Sequence, residues 1–129
     1  MYLLDSSVWI EYLRPNGAAG IRERVRGIIE REEAVCCGIV LVEVLRGAKR
    51  EKNYSALDEA LRALPQLPLD DRVIEQAARW GFVLGSKGVT VSTTDLLIAS
   101  AAHGRAVLVH RDGDFRRIAE VVGVKEEMM

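Results

Sequence analysis

Hydrophobic residues recur along this chain with two spacings, which together predict strands that alternate with helices. Apolar runs short enough to be buried strands occupy residues 2–4, 34–37 and 106–109, and a short extended piece follows at 66–69. Between them, apolar residues return at every third or fourth position, as in a helix with one buried face. The helices predicted in this way cover about residues 7–13, 21–33, 38–45, 57–64, 70–88, 94–102 and 115–122.

This alternation of strands and helices predicts the fold class. Parallel strands need a long crossover, usually a helix, so strands separated by helices favour a parallel sheet. We therefore expect an α/β fold with a central, mostly parallel sheet of about four to five strands, covered by helices on both faces. A single domain is expected at residues 1–124, and residues 125–129 are expected to form a short, flexible tail.

Length and composition narrow the class of protein. A chain of 129 residues fits one compact domain, and 49% hydrophobic with 29% charged residues is typical of globular proteins. The net charge of -1 provides no overall attraction for nucleic acid, which leaves only local basic patches. The sequence shows no secretion signal or membrane-spanning run, so we expect a cytoplasmic protein without membrane contact. The adjacent Cys36 and Cys37 are poorly placed for a disulfide and are expected in the core.

Asp5 is the first candidate site residue, because it directly follows the predicted strand 2–4. Ligands of open α/β sheets bind in the crevice at the carboxyl ends of the strands, which is where this carboxylate should lie. An acid at this position can equally cap the helix that follows. The sequence leaves both roles open for Asp5.

Glu43 is the second candidate, because the four residues before it and the two after it are all apolar. A buried carboxylate costs several kcal/mol unless a partner compensates its charge. Arg46, three residues further on, is one candidate partner, and a metal ion is the other.

Three further acids lie near predicted helix starts. Asp95 stands three residues after Ser92, the spacing of a capping box, and should also face the crevice. Asp112 and Asp114 flank Gly113 directly after a predicted strand, where they could simply form a turn. Each acid taken alone therefore has an ordinary structural explanation.

Taken together, these acids predict a metal site. Carboxylates gathered in one crevice repel one another strongly unless a cation is present. An all-oxygen cluster suits Mg²⁺ or Mn²⁺ better than zinc or copper. Such a site can activate water and neutralise a phosphodiester, so the pattern indicates metal-dependent phosphoryl chemistry.

Four stretches of the chain together resemble the PIN-domain nucleases, in particular the VapC-like toxins of bacterial and archaeal toxin–antitoxin pairs. They span nearly the whole chain in the family's order: Leu4–Ile10, Glu43 with its apolar neighbours, Thr94–Ala99 and Arg111–Phe115. The resemblance implies that the single domain is PIN-like. His110 and Ser6 depart from the family pattern, which more often has a small hydroxyl residue and Thr at these positions.

The resemblance also implies the site residues. Asp5, Glu43, Asp95 and Asp112 match the family's four metal-site acids, and Asp114 matches the second acid of its final motif. Which of Asp112 and Asp114 lies closer to the metal is left open. Ser7 matches a hydroxyl beside the first acid, and a plain helix-start role is as plausible for it. His103 and His110 are expected at the surface.

By similarity, the chain is then a Mg²⁺- or Mn²⁺-dependent endoribonuclease that acts as a toxin and cleaves RNA with a metal-activated water, leaving a 5′-phosphate and a 3′-hydroxyl. The alternative is a PIN-fold protein of RNA maturation, or a module that binds RNA or antitoxin without cleaving. The family further implies a homodimer and a small antitoxin, with the helices at 21–33 and 57–64 as candidate groove walls. Basic residues beside the acids could bind RNA phosphates or simply form solvated helix faces: Arg46, Lys49, Arg50, Lys52, Arg111, Arg116 and Arg117.

Overall fold

The computed structural model describes residues 1–129 and contains five strands and seven helices. The strands are β1 (Tyr2–Leu4), β2 (Ala34–Cys37), β3 (Gln66–Leu67), β4 (Val107–His110) and β5 (Glu126–Met128). The helices are α1 (Ser6–Leu13), α2 (Ala19–Glu30), α3 (Gly38–Leu45), α4 (Glu51–Arg62), α5 (Asp71–Ser86), α6 (Thr93–Ala102) and α7 (Gly113–Val122). The predicted elements are therefore present, and the apolar segment 38–45 is helical as expected.

The five strands form one sheet in the order β3-β2-β1-β4-β5, and every neighbouring pair is parallel. Crossovers between parallel strands are right-handed, so the helices that connect β1, β2 and β3 lie on one face. The helices that follow β3 and β4 lie on the other. The observed packing agrees, since α1 contacts α2 and α3 while α5 contacts α6 and α7. The predicted α/β fold is confirmed.

This strand order creates a crevice between β1 and β4. The connection after β1 leaves towards one face of the sheet, and the connection after its neighbour β4 leaves towards the other. Open α/β sheets bind ligands at such a switch point, outside the carboxyl ends of the strands. Asp5 follows β1 directly, and Asp112 follows β4 by two residues, so the fold itself brings these two acids to one place.

The core is built on the central strands. Leu3 and Leu4 of β1 and Val109 of β4 are completely buried, and they belong to a cluster of 28 buried hydrophobic residues. Parallel strands covered on both faces are apolar throughout, which explains their continuous apolar runs. Cys36 and Cys37 are free and buried in this core, as predicted. None of the helices has the length and apolar composition needed to cross a membrane.

The end of the chain differs from its predicted form. Residues 125–129 were expected to be a loose tail, but Glu126–Met128 form β5, which pairs with β4 in the register Leu108 with Glu126. Gly123 ends α7 with a φ of 76°, the left-handed conformation that lets the chain turn back towards the sheet. An ion pair then joins Glu127 to Arg24 of α2 at 2.9 Å. The prediction of a loose tail was wrong.

The prediction that His110 lies at the surface was also wrong. It is the last residue of β4, its side chain is fully buried, and its ring packs against Phe115 with the centroids 5.1 Å apart. Its Nε2 lies 2.7 Å from Glu126 Oε2. Glu126, the hydrogen-bond partner that stabilises the buried ring, belongs to β5. The wrong predictions for His110 and for residues 125–129 therefore have the same cause, which is that β5 was not predicted. His103, by contrast, is only partly buried.

Candidate active site

Asp5 combines both roles that the sequence left open. Its side chain caps α1, because Oδ2 accepts hydrogen bonds from Ser7 Oγ at 2.6 Å and from Ser7 N at 3.2 Å. The residue is only 5% exposed. Both bonds go to Oδ2, so Oδ1 can bind a further ligand. Ser7 thus orients the first acid, whichever ligand that acid binds.

Glu43 projects from α3 and is partly buried. Its Oε1 is shielded from solvent and accepts no hydrogen bond. Arg46 does not pair with it, although the sequence suggested this partner, because no ion pair within 4.0 Å joins the two side chains. Burial raises the pKa of Glu43, and the negative charge of Asp5 raises it further. A buried carboxylate oxygen without a hydrogen-bond donor is costly, and a bound cation would compensate that cost.

Asp95 lies in the first turn of α6, where Ser92 is the N-cap residue. The Asp95 backbone N–H donates to Ser92 Oγ at 3.1 Å, so the predicted helix cap is present. Burial raises the pKa of Asp95 to about 6, and the negative charges of Asp112, Asp5 and Asp114 act in the same direction. The capping position therefore also places this acid among the other carboxylates.

Asp112 and Asp114 form the opposite wall. Asp112 caps α7, and its Oδ1 accepts a hydrogen bond from Asp114 N at 2.9 Å. Asp114 lies in the first turn of the same helix and forms an ion pair with Arg117. Carboxylate oxygens of Asp95, Asp112 and Asp114 all lie within 4.8 Å of one another. We call these three residues the clustered acids, and Asp5 with Glu43 the inner acids.

The two sets of acids adjoin one another. The charge of Asp5 raises the pKa of Glu43 on one side and of Asp95 on the other. Only the clustered acids have carboxylate oxygens close enough to form one compact group, and Asp5 and Glu43 lie outside that group. The arrangement fits a hard divalent cation, because all donors are oxygens and one buried carboxylate oxygen has no protein partner.

The basic residues near the site fall into two classes. Arg111, Arg116 and Arg117 are already engaged, since they form ion pairs with Glu11, Glu126 and Asp114 respectively. The second class follows α3, is exposed and forms no ion pair within 4.0 Å: Arg46, Lys49, Arg50 and Lys52. This second class is the one that remains free to bind an anion.

Sequence reasoning missed Glu11, which organises one side of the site. It is 8% exposed on α1, accepts from Ala18 N at 2.9 Å and holds Arg111 at 3.0 Å. The contact ties the acidic turn after β4 to the first helix. The only signal in the sequence was a carboxylate two positions after the buried Trp9, which is too common a pattern to identify such a residue.

The chain matches the family model for the PIN domain over residues 2–121. The chain belongs to the PIN-domain family. Ribonuclease VapC11 of Mycobacterium tuberculosis is 36% identical over 131 residues, covering 97% of this chain and 96% of that protein. A DNA-bound VapBC complex from Salmonella typhimurium superposes with a TM-score of 0.80 at 26% identity, covering 98% of this chain and 96% of that one.

A third similarity concerns the fold alone. VapBC2 from Rickettsia felis has a TM-score of 0.80 at 21% identity and covers 99% of this chain. The chain therefore has the fold found in these solved VapBC complexes. Its edge strand β5 lies beyond the residues that the family model matches.

Proposed function

We propose that this PIN-domain protein is a metal-dependent endoribonuclease and the toxin of a toxin–antitoxin pair. The observation that supports the proposal is the group formed by Asp95, Asp112 and Asp114, with Asp5 near it and with Glu43, whose buried oxygen no protein group satisfies, on the far side of Asp5. Relatives with this fold and with 36% identity are named ribonucleases. The cytoplasm, where free cysteines such as Cys36 and Cys37 persist, is the compartment that fits this function.

Asp5, Glu43, Asp95 and Asp112 would hold Mg²⁺, or Mn²⁺ in its place, with Asp114 beside them. Asp112 is the better ligand of the last two, because Arg117 already neutralises Asp114. A divalent ion in such a site lowers the pKa of water and stabilises negative charge on a phosphodiester. The protein supplies a fixed set of oxygens, since Ser7, Ser92 and the start of α7 hold the acids in place.

The free basic residues after α3 would bind the RNA backbone. Arg46, Lys49, Arg50 and Lys52 are exposed and unpaired, and they follow the helix that carries Glu43. Contacts of this kind bind phosphates without reading sequence. They would therefore position RNA beside the acids and leave its sequence preference to other groups.

An antitoxin is the second partner that we propose. A groove of about 750 Å³ lies between α1, α3 and α4, with apolar lining from Ile10, Leu13, Val44 and Leu57. Leu57 belongs to one of the two helices expected to form groove walls, whereas α2 does not line this groove. An amphipathic helix of a partner could lay its apolar face in this groove, and a DNA-bound VapBC is among the solved structures of the same fold.

We also propose a homodimer. Ile74 and Phe82 are 50% and 68% exposed on α5, and Phe82 in particular is a large apolar side chain left in water. An apolar groove beside them is lined by Ala77, Gly81 and Leu96. Exposed apolar surface of this kind favours contact with a second protein surface, and a second copy of the chain offers the same surface in return.

The experiment that tests the proposal combines Mn²⁺ calorimetry with cleavage of total cellular RNA, for the wild type and Asp95→Asn. Asp70→Asn is the matched control, because Asp70 also caps a helix, accepting from Val73 N at 3.1 Å, but is not one of the five acids. We expect binding and cleavage in the wild type and the control, and loss of both in Asp95→Asn. A wild type that binds no divalent ion at millimolar concentration would contradict the nuclease proposal and leave a binding module.

A further inference from the structure

His110 occupies an enclosed position directly behind the acidic turn. Its side chain is completely buried at the end of β4. The ring contacts three different elements: Phe115 of α7 packs on it, Glu126 of β5 lies 2.7 Å from Nε2, and the backbone N–H of Asp112 donates to Nδ1 at 3.2 Å. Both ring nitrogens are therefore used, and one of them contacts a candidate metal ligand.

The hydrogen bonds define the tautomer of the ring. A backbone N–H can only donate, so Nδ1 must present its lone pair to Asp112. The ring proton then belongs on Nε2, where it points at Glu126 Oε2. Arg116 Nε lies 3.5 Å from the other oxygen of Glu126, so both oxygens of this carboxylate face a nitrogen. β5 thus selects the tautomer that can accept from Asp112.

The same contacts fix the backbone of the acidic turn. His110 holds the Asp112 peptide by its N–H, and the Asp112 side chain in turn holds the Asp114 N–H. Arg111, which lies between His110 and Asp112 in the chain, donates a hydrogen bond to Glu11 of α1. Asp112 is exposed and has little packing of its own, so these bonds, rather than burial, determine where its carboxylate lies.

We propose that His110 is a positioning residue of the metal centre, which Glu126 holds in the tautomer that orients Asp112. This inference rests on the proposed function. Histidines that bind a metal are commonly oriented by a carboxylate behind them. Here the histidine itself stands in the second position and orients a carboxylate through the backbone, using neither ring nitrogen for the metal.

Two substitutions separate positioning from packing. In His110→Asn, the amide oxygen replaces Nδ1 as acceptor for Asp112, while the contact with Glu126 is lost. In His110→Gln, the amide nitrogen replaces Nε2 as donor to Glu126, while the acceptor for Asp112 is lost. His103→Asn and His103→Gln are the controls, since His103 contacts Trp80 edge-on and forms no contact with the acids.

We expect Mn²⁺ affinity, measured by calorimetry on the full chain, to fall by about 10- to 100-fold in His110→Gln. It should stay within about threefold of the wild type in His110→Asn, and both His103 variants should bind normally. Thermal unfolding of each metal-free variant shows how much stability is lost. Equal losses of affinity in the two His110 variants, or no loss in either, would overturn the inference.

Nitrogen-15 NMR of the metal-free wild type provides a readout that needs no variant. Scalar coupling between the Asp112 amide nitrogen and His110 Nδ1 is expected, with Nε2 in the protonated form. Protein that binds Mn²⁺ but shows no such coupling would overturn this inference and leave the proposed function intact. Protein that shows the coupling but binds no Mn²⁺ would overturn the proposed function, and the positioning role with it.

Discussion

The inner acids and the clustered acids of this site are held in different ways. Asp5 follows a strand and is buried, and Glu43 projects from an apolar helix and is partly buried. Asp112 and Asp114 begin α7, where the helix cap, His110 and Arg117 hold them in place. Glu43 bears a desolvation cost in the metal-free protein, as its raised pKa indicates, whereas Arg117 already compensates the charge of Asp114. We therefore expect the inner acids to contribute more to metal binding than Asp114 does.

The largest expected difference in Mn²⁺ affinity is between the variants Asp5→Asn and Asp114→Asn. An amide can still cap α1, so the first change removes charge with little loss of stability. We expect Asp5→Asn to weaken Mn²⁺ binding by more than about 100-fold, and Asp114→Asn by about tenfold, because loss of an outer partner alone costs about 10- to 100-fold. Calorimetry measures both, and a larger loss in Asp114→Asn would reverse the comparison.

The second largest expected effect is a loss of metal affinity at low pH. The folded-state pKa of Asp95 is about 6, above its ordinary value, so the metal-free fold holds this proton more tightly than the unfolded chain does. The resulting stabilisation is complete below the ordinary pKa and is lost as the pH rises through about 6. Metal must displace the proton, so Mn²⁺ affinity should fall by up to about tenfold per pH unit below that point.

Calorimetry at about pH 5 and about pH 7.5 tests this dependence, and thermal unfolding with and without Mn²⁺ provides a second measurement. We expect added Mn²⁺ to raise the unfolding temperature more at the higher pH. An affinity that is the same at both values would show that Asp95 does not lose a proton on binding metal.

Glu43→Gln should change stability only modestly, and it should stabilise the metal-free protein. Because the pKa of Glu43 is raised in the fold, its charged form at neutral pH costs stability, which a neutral amide regains. We expect the unfolding temperature to rise by a few degrees without metal and to respond less to added Mn²⁺. Glu59→Gln, an exposed residue of α4, is the control and should change neither. A metal-free variant less stable than the wild type would contradict this reading.

Arg117→Gln should have the smallest effect on stability and on Mn²⁺ affinity. Surface ion pairs contribute less than about 1 kcal/mol, so stability should barely change. Asp114 loses its competing cation, and Mn²⁺ affinity is expected to rise by up to about fivefold. Arg62→Gln breaks the comparable surface pair with Asp58 on α4 and should leave metal binding unchanged. Weaker binding in Arg117→Gln would mean that the arginine supports the site.

The fold could be predicted from the sequence, because local patterns of apolar residues indicate its strands and helices. The assignment of the five acids to a metal site also came from local patterns, and it stays a prediction. Apolar runs gave β1, β2 and β4, and an acid inside an apolar helix marked Glu43. The strand β5 was missed because Glu126 and Glu127 disfavour a strand on their own. They are stabilised by His110 and Arg24, residues distant in sequence, so only the folded structure reveals the strand.

The distances and contacts between the side chains of the site could not be predicted from the sequence. Asp5 was expected either to cap a helix or to face the crevice, and Asp112 either to form a turn or to join a metal site. In the structure each of these two carboxylates caps a helix beside the other acids. The choice between Arg46 and a metal as partner for Glu43 depended on side-chain distance, which spacing along a helix does not determine. His110 was assigned to the surface because its partner belonged to a segment assumed to be loose.

The strand order has a consequence for how the protein is made. β1 is synthesised first and occupies the centre of the sheet, but its neighbour β4 is synthesised after most of the chain. Contacts between distant segments form slowly, because the intervening loop must first be closed. Asp5 is therefore synthesised long before Asp112. The growing chain cannot bring these two acids together until β4 pairs with β1. Under the proposed function, the nascent chain would be unable to cleave RNA until β4 has been synthesised.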